Sequence, residues 1–99
     1  MQMTKEYILD FLRTHKDEFS AKYQVSDMAL FGSYARGENQ EESDIDIAIK
    51  TDLSDYFKLY NLKEELEKAF QSKVDIVRLR DRMNQSLKQR ILNEGIYVR

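Results

Sequence analysis

Phe31-Gly32-Ser33-Tyr34-Ala35-Arg36-Gly37, followed shortly by Ser43-Asp44-Ile45-Asp46-Ile47-Ala48-Ile49-Lys50, is the stretch on which the reading of this chain turns. Its second half alternates strictly. Ile45, Ile47 and Ile49 fall on one face of an extended strand, and Asp44 and Asp46 share the other. The residues before Gly32, Val25-Ser26-Asp27-Met28-Ala29-Leu30-Phe31, read as a second short strand that the glycine ends. The connection from 32 to 43 is too short and too polar for a full crossover helix, so the two strands are expected to pair antiparallel.

Outward from this pair the pattern turns helical. Ile8, Phe11, Leu12, His15 and Phe19 recur at helical spacing and predict one amphipathic helix over 4–22, with Thr4 as its N-cap. Leu59, Leu62, Leu66, Ala69 and Phe70 predict a second helix over 55–71. Lys73 to Leu79, rich in β-branched residues, predicts a third strand. Met83, Leu87 and Ile91 mark a last helix that Gly95 stops, and Ile96-Tyr97-Val98 is a candidate terminal strand. The order α-β-turn-β-α-β-α, with that possible final strand, gives the fold class: an α+β domain, helices packed on a small mixed β-sheet. Residues 1–99 read as a single domain.

Composition narrows the function. Of 99 residues 41% are apolar and 34% charged, and Leu, Ile, Val and Phe supply 26, enough for a thin folded core. A domain this short leaves much apolar surface in water, which favours a docking partner. With no cysteine, disulfides, thiolate metal sites and cysteine nucleophiles are excluded. No apolar run is long enough to span a bilayer, and the first residues lack the apolar stretch of a signal peptide, so a soluble cytoplasmic domain is expected. The net charge of −2 gives no reason to expect direct nucleic-acid binding. It is unevenly spread: residues 1–77 carry 10 Lys/Arg against 16 Asp/Glu, and residues 78–99 carry 6 against 2. Glu38, Glu41, Glu42, Asp44 and Asp46 crowd into nine positions, where like charges repel unless cations or solvent screen them.

Chemistry follows from two devices in the opening stretch. Gly32-Ser33 at a strand end entering a helical turn offers backbone N–H groups and a hydroxyl with little bulk, a cradle for phosphate oxygens. Asp44 and Asp46, about 7 Å apart at their Cα atoms on one strand face, offer hard oxygens of the kind Mg²⁺ prefers when phosphates complete its shell. Asp75, in the third strand, adds a carboxylate to the same side if that strand lies beside 44–50. Three such groups could hold two metal ions about 3.5–4 Å apart and support in-line attack on an α-phosphorus.

Gly32-Ser33, ten residues, then Asp44-Ile45-Asp46 resembles the signature of the polymerase-beta-like nucleotidyltransferase fold. The fuller Gly-Ser-Tyr-Ala-Arg-Gly-Glu and Ser-Asp-Ile-Asp-Ile-Ala-Ile stretches resemble the minimal nucleotidyltransferases of prokaryotes. The resemblance extends to Val74-Asp75-Ile76-Val77 and to the Glu94-Gly95 ending, and so covers nearly the whole chain. It implies that Asp44 and Asp46 form the metal pair and that Asp75 completes the site and helps activate the acceptor hydroxyl. It also implies that Gly32 and Ser33 hold the β- and γ-phosphates of ATP. Two Mg²⁺ ions, or Mn²⁺ in their place, would be the cofactors and ATP the substrate. The family further implies a HEPN-domain toxin as partner in a hetero-oligomer, and AMP transfer onto one of its tyrosines as the antitoxin activity. A non-catalytic nucleotide-binding module that masks the toxin is the alternative reading.

The remaining features read more plainly. Arg36 is a candidate nucleotide-binding residue or a partner of the acidic loop. Gly37 serves backbone geometry, and His15 belongs at the edge of the core. Arg78, Arg80 and Arg82 either steer ATP, meet an acidic partner or lie in solvent. Tyr34, Tyr56 and Tyr60 read as packing residues. Shortness points to a partner that supplies the acceptor.

Overall fold

A computed structural model describes residues 3–40, 43–53, 55–80 and 82–98. Glu41 and Glu42 of the acidic run lie outside the described residues. The elements are α1 (Lys5–Thr14), α2 (Lys16–Tyr23), β1 (Val25–Phe31), α3 (Gly32–Arg36), β2 (Ile45–Thr51), α4 (Tyr56–Phe70), β3 (Val74–Arg78), α5 (Gln85–Glu94) and β4 (Ile96–Val98). The four strands form one mixed sheet in the order β3-β2-β1-β4. β1 pairs antiparallel with both β2 and β4, and β2 runs parallel to β3 across the α4 crossover. The antiparallel β1–β2 pairing is the one expected from the short 32–43 connection, which begins with the five-residue α3. The terminal strand is present as β4.

Alternation sorts the strand side chains onto two faces. Met28, Leu30, Ile45, Ile47, Ile49 and Val74 join the larger core with Ile8, Leu12, Phe19, Leu62, Leu66 and Phe70 from α1, α2 and α4. The opposite face carries Ala29, Phe31 and Ala48 beneath Ile91 of α5, with Val77, Leu87 and Tyr97 packed around them. Small alanines at 29 and 48 let α5 approach this second face closely. β2 is therefore covered on both sides along most of its length, and Asp46 sits where that cover ends. The strand face that carries Asp46 is thus polar only at that end.

The expected single helix over 4–22 is two helices. Thr4 caps the first through its hydroxyl, which accepts from the Tyr7 N–H at 3.1 Å. The break falls at His15, whose φ −100°, ψ 9° leave the helical region. Its N–H donates to the Phe11 carbonyl at 3.0 Å, and its ring stacks on Phe11 with centroids 4.0 Å apart. Helical spacing survives the break closely enough that Phe19 stays on the buried stripe, so periodicity alone could not reveal it. The final helix starts at Gln85, later than Met83 suggests, because the Asn84 side chain accepts from the Leu87 N–H at 3.1 Å and caps it there. Among the described residues no helix is long and apolar enough to cross a membrane.

Candidate active site

The site forms at one end of the α5-facing side of the sheet, from β1, α3, β2 and β3. Parallel pairing sets Asp46 directly beside Asp75, and alternation places Asp44, just ahead of β2, on the side of Asp46. Asp46 is half-buried, whereas Asp44 and Asp75 are exposed. Burial, then the neighbouring Asp75 and Asp44 carboxylates, push the Asp46 carboxyl above the ordinary aspartate range, while Arg90 and Arg36 pull it back down. Two of the aspartates singled out from sequence, Asp44 and Asp75, therefore bear on the third, Asp46. Such repulsion costs stability unless a cation or a proton relieves it.

Gly32 closes the floor of the site. Its φ of +76° lies in the left-handed region that glycine alone adopts without strain, and a β-carbon there would overlap the Asp46 Oδ2 atom. Phe31 is paired with Asp46 across the β1–β2 ladder, so the Gly32 backbone necessarily turns away over that carboxylate. Ser33 follows at the second position of α3, half-buried. Its carbonyl accepts from the Glu38 N–H at 2.9 Å and fixes the turn, and no partner engages its hydroxyl among the described residues. Gly37, at φ 73°, ends α3 in the backbone role expected of it.

Arg36 lies on the same side but is occupied. Its Nε donates to Glu38 and its Nη1 to Glu94, each at 3.0 Å, and these two contacts raise its affinity for its proton. Arg90 joins the same carboxylate, with Nε 3.5 Å from Glu94. Sequence reasoning missed Arg90 and gave Glu94 no role. The signal was an acid closing a helix in an otherwise basic stretch. Arg78 and Arg80 lie at the far end of β3. Arg78 donates to the Thr51 carbonyl and Arg80 to the Tyr56 hydroxyl, at 3.0 and 2.8 Å. That places them away from the aspartates. Tyr34 is buried as expected, but Tyr56 and Tyr60 are exposed and do not pack in the core.

Among the described residues no three acidic or histidine side chains converge as a ready-made metal cage. The donor set nevertheless suits a hard divalent cation: three carboxylates, one held partly out of water by its neighbours, with no basic side chain ion-paired to any of them among the described residues. Mg²⁺ takes one or two carboxylates and completes its shell with phosphate and water, so a full protein cage is not what it requires.

Comparison with known proteins gives the family of the chain. The family model described as polymerase beta, nucleotidyltransferase matches residues 13–99, and the chain belongs to that family. MJ1379 of Methanocaldococcus jannaschii, which bears the name putative protein adenylyltransferase, is 45% identical over 98 residues, 96% of this chain and 98% of its own. Protein adenylyltransferase MntA of Thermococcus cleftensis is 33% identical over 97 residues, 97% of each chain. A chain from a toxin–antitoxin crystal structure with AMP-PNP matches with a TM-score of 0.73 at 30% identity, over 98% of this chain and 73% of that one. A chain from the complex of a tri-AMPylated Shewanella oneidensis HEPN toxin with its MNT antitoxin matches with a TM-score of 0.71 at 26% identity, over 97% and 72%. Fold and family are those expected from Gly32-Ser33 and Asp44-x-Asp46.

Proposed function

We propose that this chain transfers AMP from ATP to a tyrosine hydroxyl of a HEPN-domain toxin in the cytoplasm, and acts as the antitoxin of the pair. One observation carries the reading: Asp46, half-buried, is in register with Asp75 and pressed against a glycine that opens a helix. That combination supports a metal-binding role for the carboxylates and a phosphate-holding role for the Gly32 turn. The names of the relatives support protein as the acceptor class and a HEPN toxin as the partner.

In this reading Asp44 and Asp46 hold divalent metal, with Asp75 completing the set. When bound, two Mg²⁺ ions (or Mn²⁺ in their place) supply a lowered hydroxyl pKa at the acceptor and charge neutralisation at the triphosphate. The N–H groups of Gly32 and Ser33 and the Ser33 hydroxyl hold the β- and γ-phosphates. Asp75, exposed and in register beside Asp46, orients the incoming tyrosine and takes the proton of its hydroxyl. The tyrosine oxygen forms a bond to the α-phosphorus as the bond to the β-phosphate oxygen breaks, and pyrophosphate leaves. Catalysis here is positioning and electrostatic stabilisation, with no covalent enzyme intermediate.

The test is transfer of label from α-labelled ATP to the co-expressed HEPN protein. Label on the toxin that disappears with D44N/D46N supports the reading. No label with the intact protein, or undiminished label with the double variant, contradicts it.

A further inference from the structure

Glu94 stands where helix physics disfavours it. It is the last residue of α5, at the negative end of the helix dipole, where a carboxylate is destabilising. Its i,i+4 partner Arg90 precedes it, the weaker orientation for an ion pair along a helix. It is also the only acid between residues 82 and 98. Local helix stability therefore does not account for it. What it does have is two guanidinium groups on one carboxylate oxygen, Arg36 Nη1 of α3 at 3.0 Å and Arg90 Nε of α5 at 3.5 Å.

The backbone around Glu94 is fixed just as tightly. Gly95 joins α5 to β4 with no intervening loop, and its N–H donates to the Ile91 carbonyl at 2.8 Å. A β-carbon at 95 would collide with that same carbonyl oxygen. Ile96 then pairs with Leu30, two residues before Gly32. Glu94 is thus held by sheet register relative to the strand that ends in the phosphate-facing glycine. Arg36 closes α3, the helix that Gly32 opens, and Glu94 ties Arg90 to it. Arg36 keeps Nη2, and Arg90 both of its Nη groups, without a partner among the described residues. They are donors in fork geometry beside a site that reads as triphosphate-binding.

We propose that Glu94 is a positioning residue that presents Arg36 and Arg90 as a paired clamp for the β- and γ-phosphates of the nucleotide. The inference rests on the adenylyl-transfer reading above and deepens it. The clamp touches the phosphates that leave as pyrophosphate, so it distinguishes ATP from AMP, which lacks them. Glu94 itself contacts no substrate. Removing its charge leaves Arg36 held by Glu38 alone and Arg90 without its carboxylate partner.

The experiment is calorimetric titration of the full chain with Mg²⁺ and AMP-PNP, and separately with AMP, for wild type, E94Q, R90Q and R36Q/E94Q. The expected result is about tenfold weaker AMP-PNP binding by E94Q, with AMP binding within about twofold of wild type. The KM for ATP should rise similarly while kcat stays within about threefold. R36Q/E94Q should bind no more than about threefold more weakly than E94Q alone, because the two act as one unit. R90Q removes a half-exposed side chain outside the core and should reproduce the AMP-PNP defect, which guards against a folding failure of E94Q. Unchanged AMP-PNP binding by both E94Q and R90Q overturns the proposal, and so does equal loss of AMP and AMP-PNP. Wild-type AMP transfer with normal E94Q binding defeats the clamp alone. If wild type binds no AMP-PNP at all, the adenylyl-transfer reading and the clamp fall together.

Discussion

A β-carbon on Gly32 would overlap the Asp46 carboxylate oxygen, and the glycine's φ of +76° independently strains any other residue there. The strand that ends at Phe31 and the strand that carries Asp46 are adjacent, so the Gly32 turn and the carboxylate form a single unit. Gly32→Ala should consequently damage stability and function together. The strained backbone and the overlap should cost about 2–4 kcal/mol, a fall in Tm of about 10 °C or more for a domain of this size. Thermal unfolding followed by circular dichroism checks this, and AMP-PNP binding should be lost even at temperatures where the variant is folded.

Asp46 holds its proton more tightly folded than unfolded, because burial and two neighbouring carboxylates oppose its charge. The sign follows from linkage. This group's contribution to stability is fully present below the ordinary aspartate pKa of about 4 and is lost as pH rises through the higher folded value. Asp46→Asn should therefore be more stable than wild type at pH 7 in metal-free buffer, by a few degrees in Tm, and inactive. The difference should shrink as pH falls toward 4. Chemical denaturation of both proteins across pH 4–8 measures it, and a less stable Asp46→Asn at pH 7 would contradict the repulsion described here.

Divalent metal should relieve the same repulsion. Millimolar Mg²⁺ with ATP should raise the Tm of the wild type by a few degrees, since a ligand that binds only the folded state stabilises it by mass action. D44N/D46N should show no such rise, and chelation should return the wild type to its starting value. Differential scanning fluorimetry with and without chelator reads this directly.

Thr51 is the one buried polar side chain among the described core positions. Its hydroxyl donates to the Tyr23 carbonyl at 2.7 Å and accepts from the Leu53 N–H at 3.0 Å, tying α2 and the start of the α4 connection to the end of β2. Thr51→Val keeps the shape and strands both backbone groups, for a cost of about 1–3 kcal/mol. Urea denaturation should show a lower midpoint with an unchanged slope, and AMP-PNP affinity in the folded protein should stay at the wild-type level because Thr51 lies at the far end of β2 from Asp46.

The parts legible in the sequence were those where one signal dominated. Ile45, Ile47 and Ile49 gave β2 its face, and the short polar 32–43 connection gave the antiparallel pairing. Asp75 could be placed beside Asp46 only on the condition that β3 neighbours β2, which the α4 crossover supplies. What escaped were contacts set by tertiary placement. The helix break at His15 leaves the buried stripe intact, so Ile8, Leu12 and Phe19 show no trace of it. Ala48 reads as neutral in an alternating strand, yet it is buried beneath Ile91. Arg90 and Glu94 are far from Asp46 in the chain and reach it only because Gly95 turns α5 directly into β4.

The central claim is that Asp44, Asp46 and Asp75 form a working nucleotidyl-transfer site whose acceptor is a tyrosine of the HEPN partner. Its most direct test is intact and fragment mass spectrometry of that partner after incubation with this protein, Mg²⁺ and ATP. The expected result is added AMP on the partner, mapped to tyrosine, with wild type, and loss of at least about a hundredfold in rate with D44N/D46N. An unmodified partner, or modification that persists undiminished with the double variant, would contradict it.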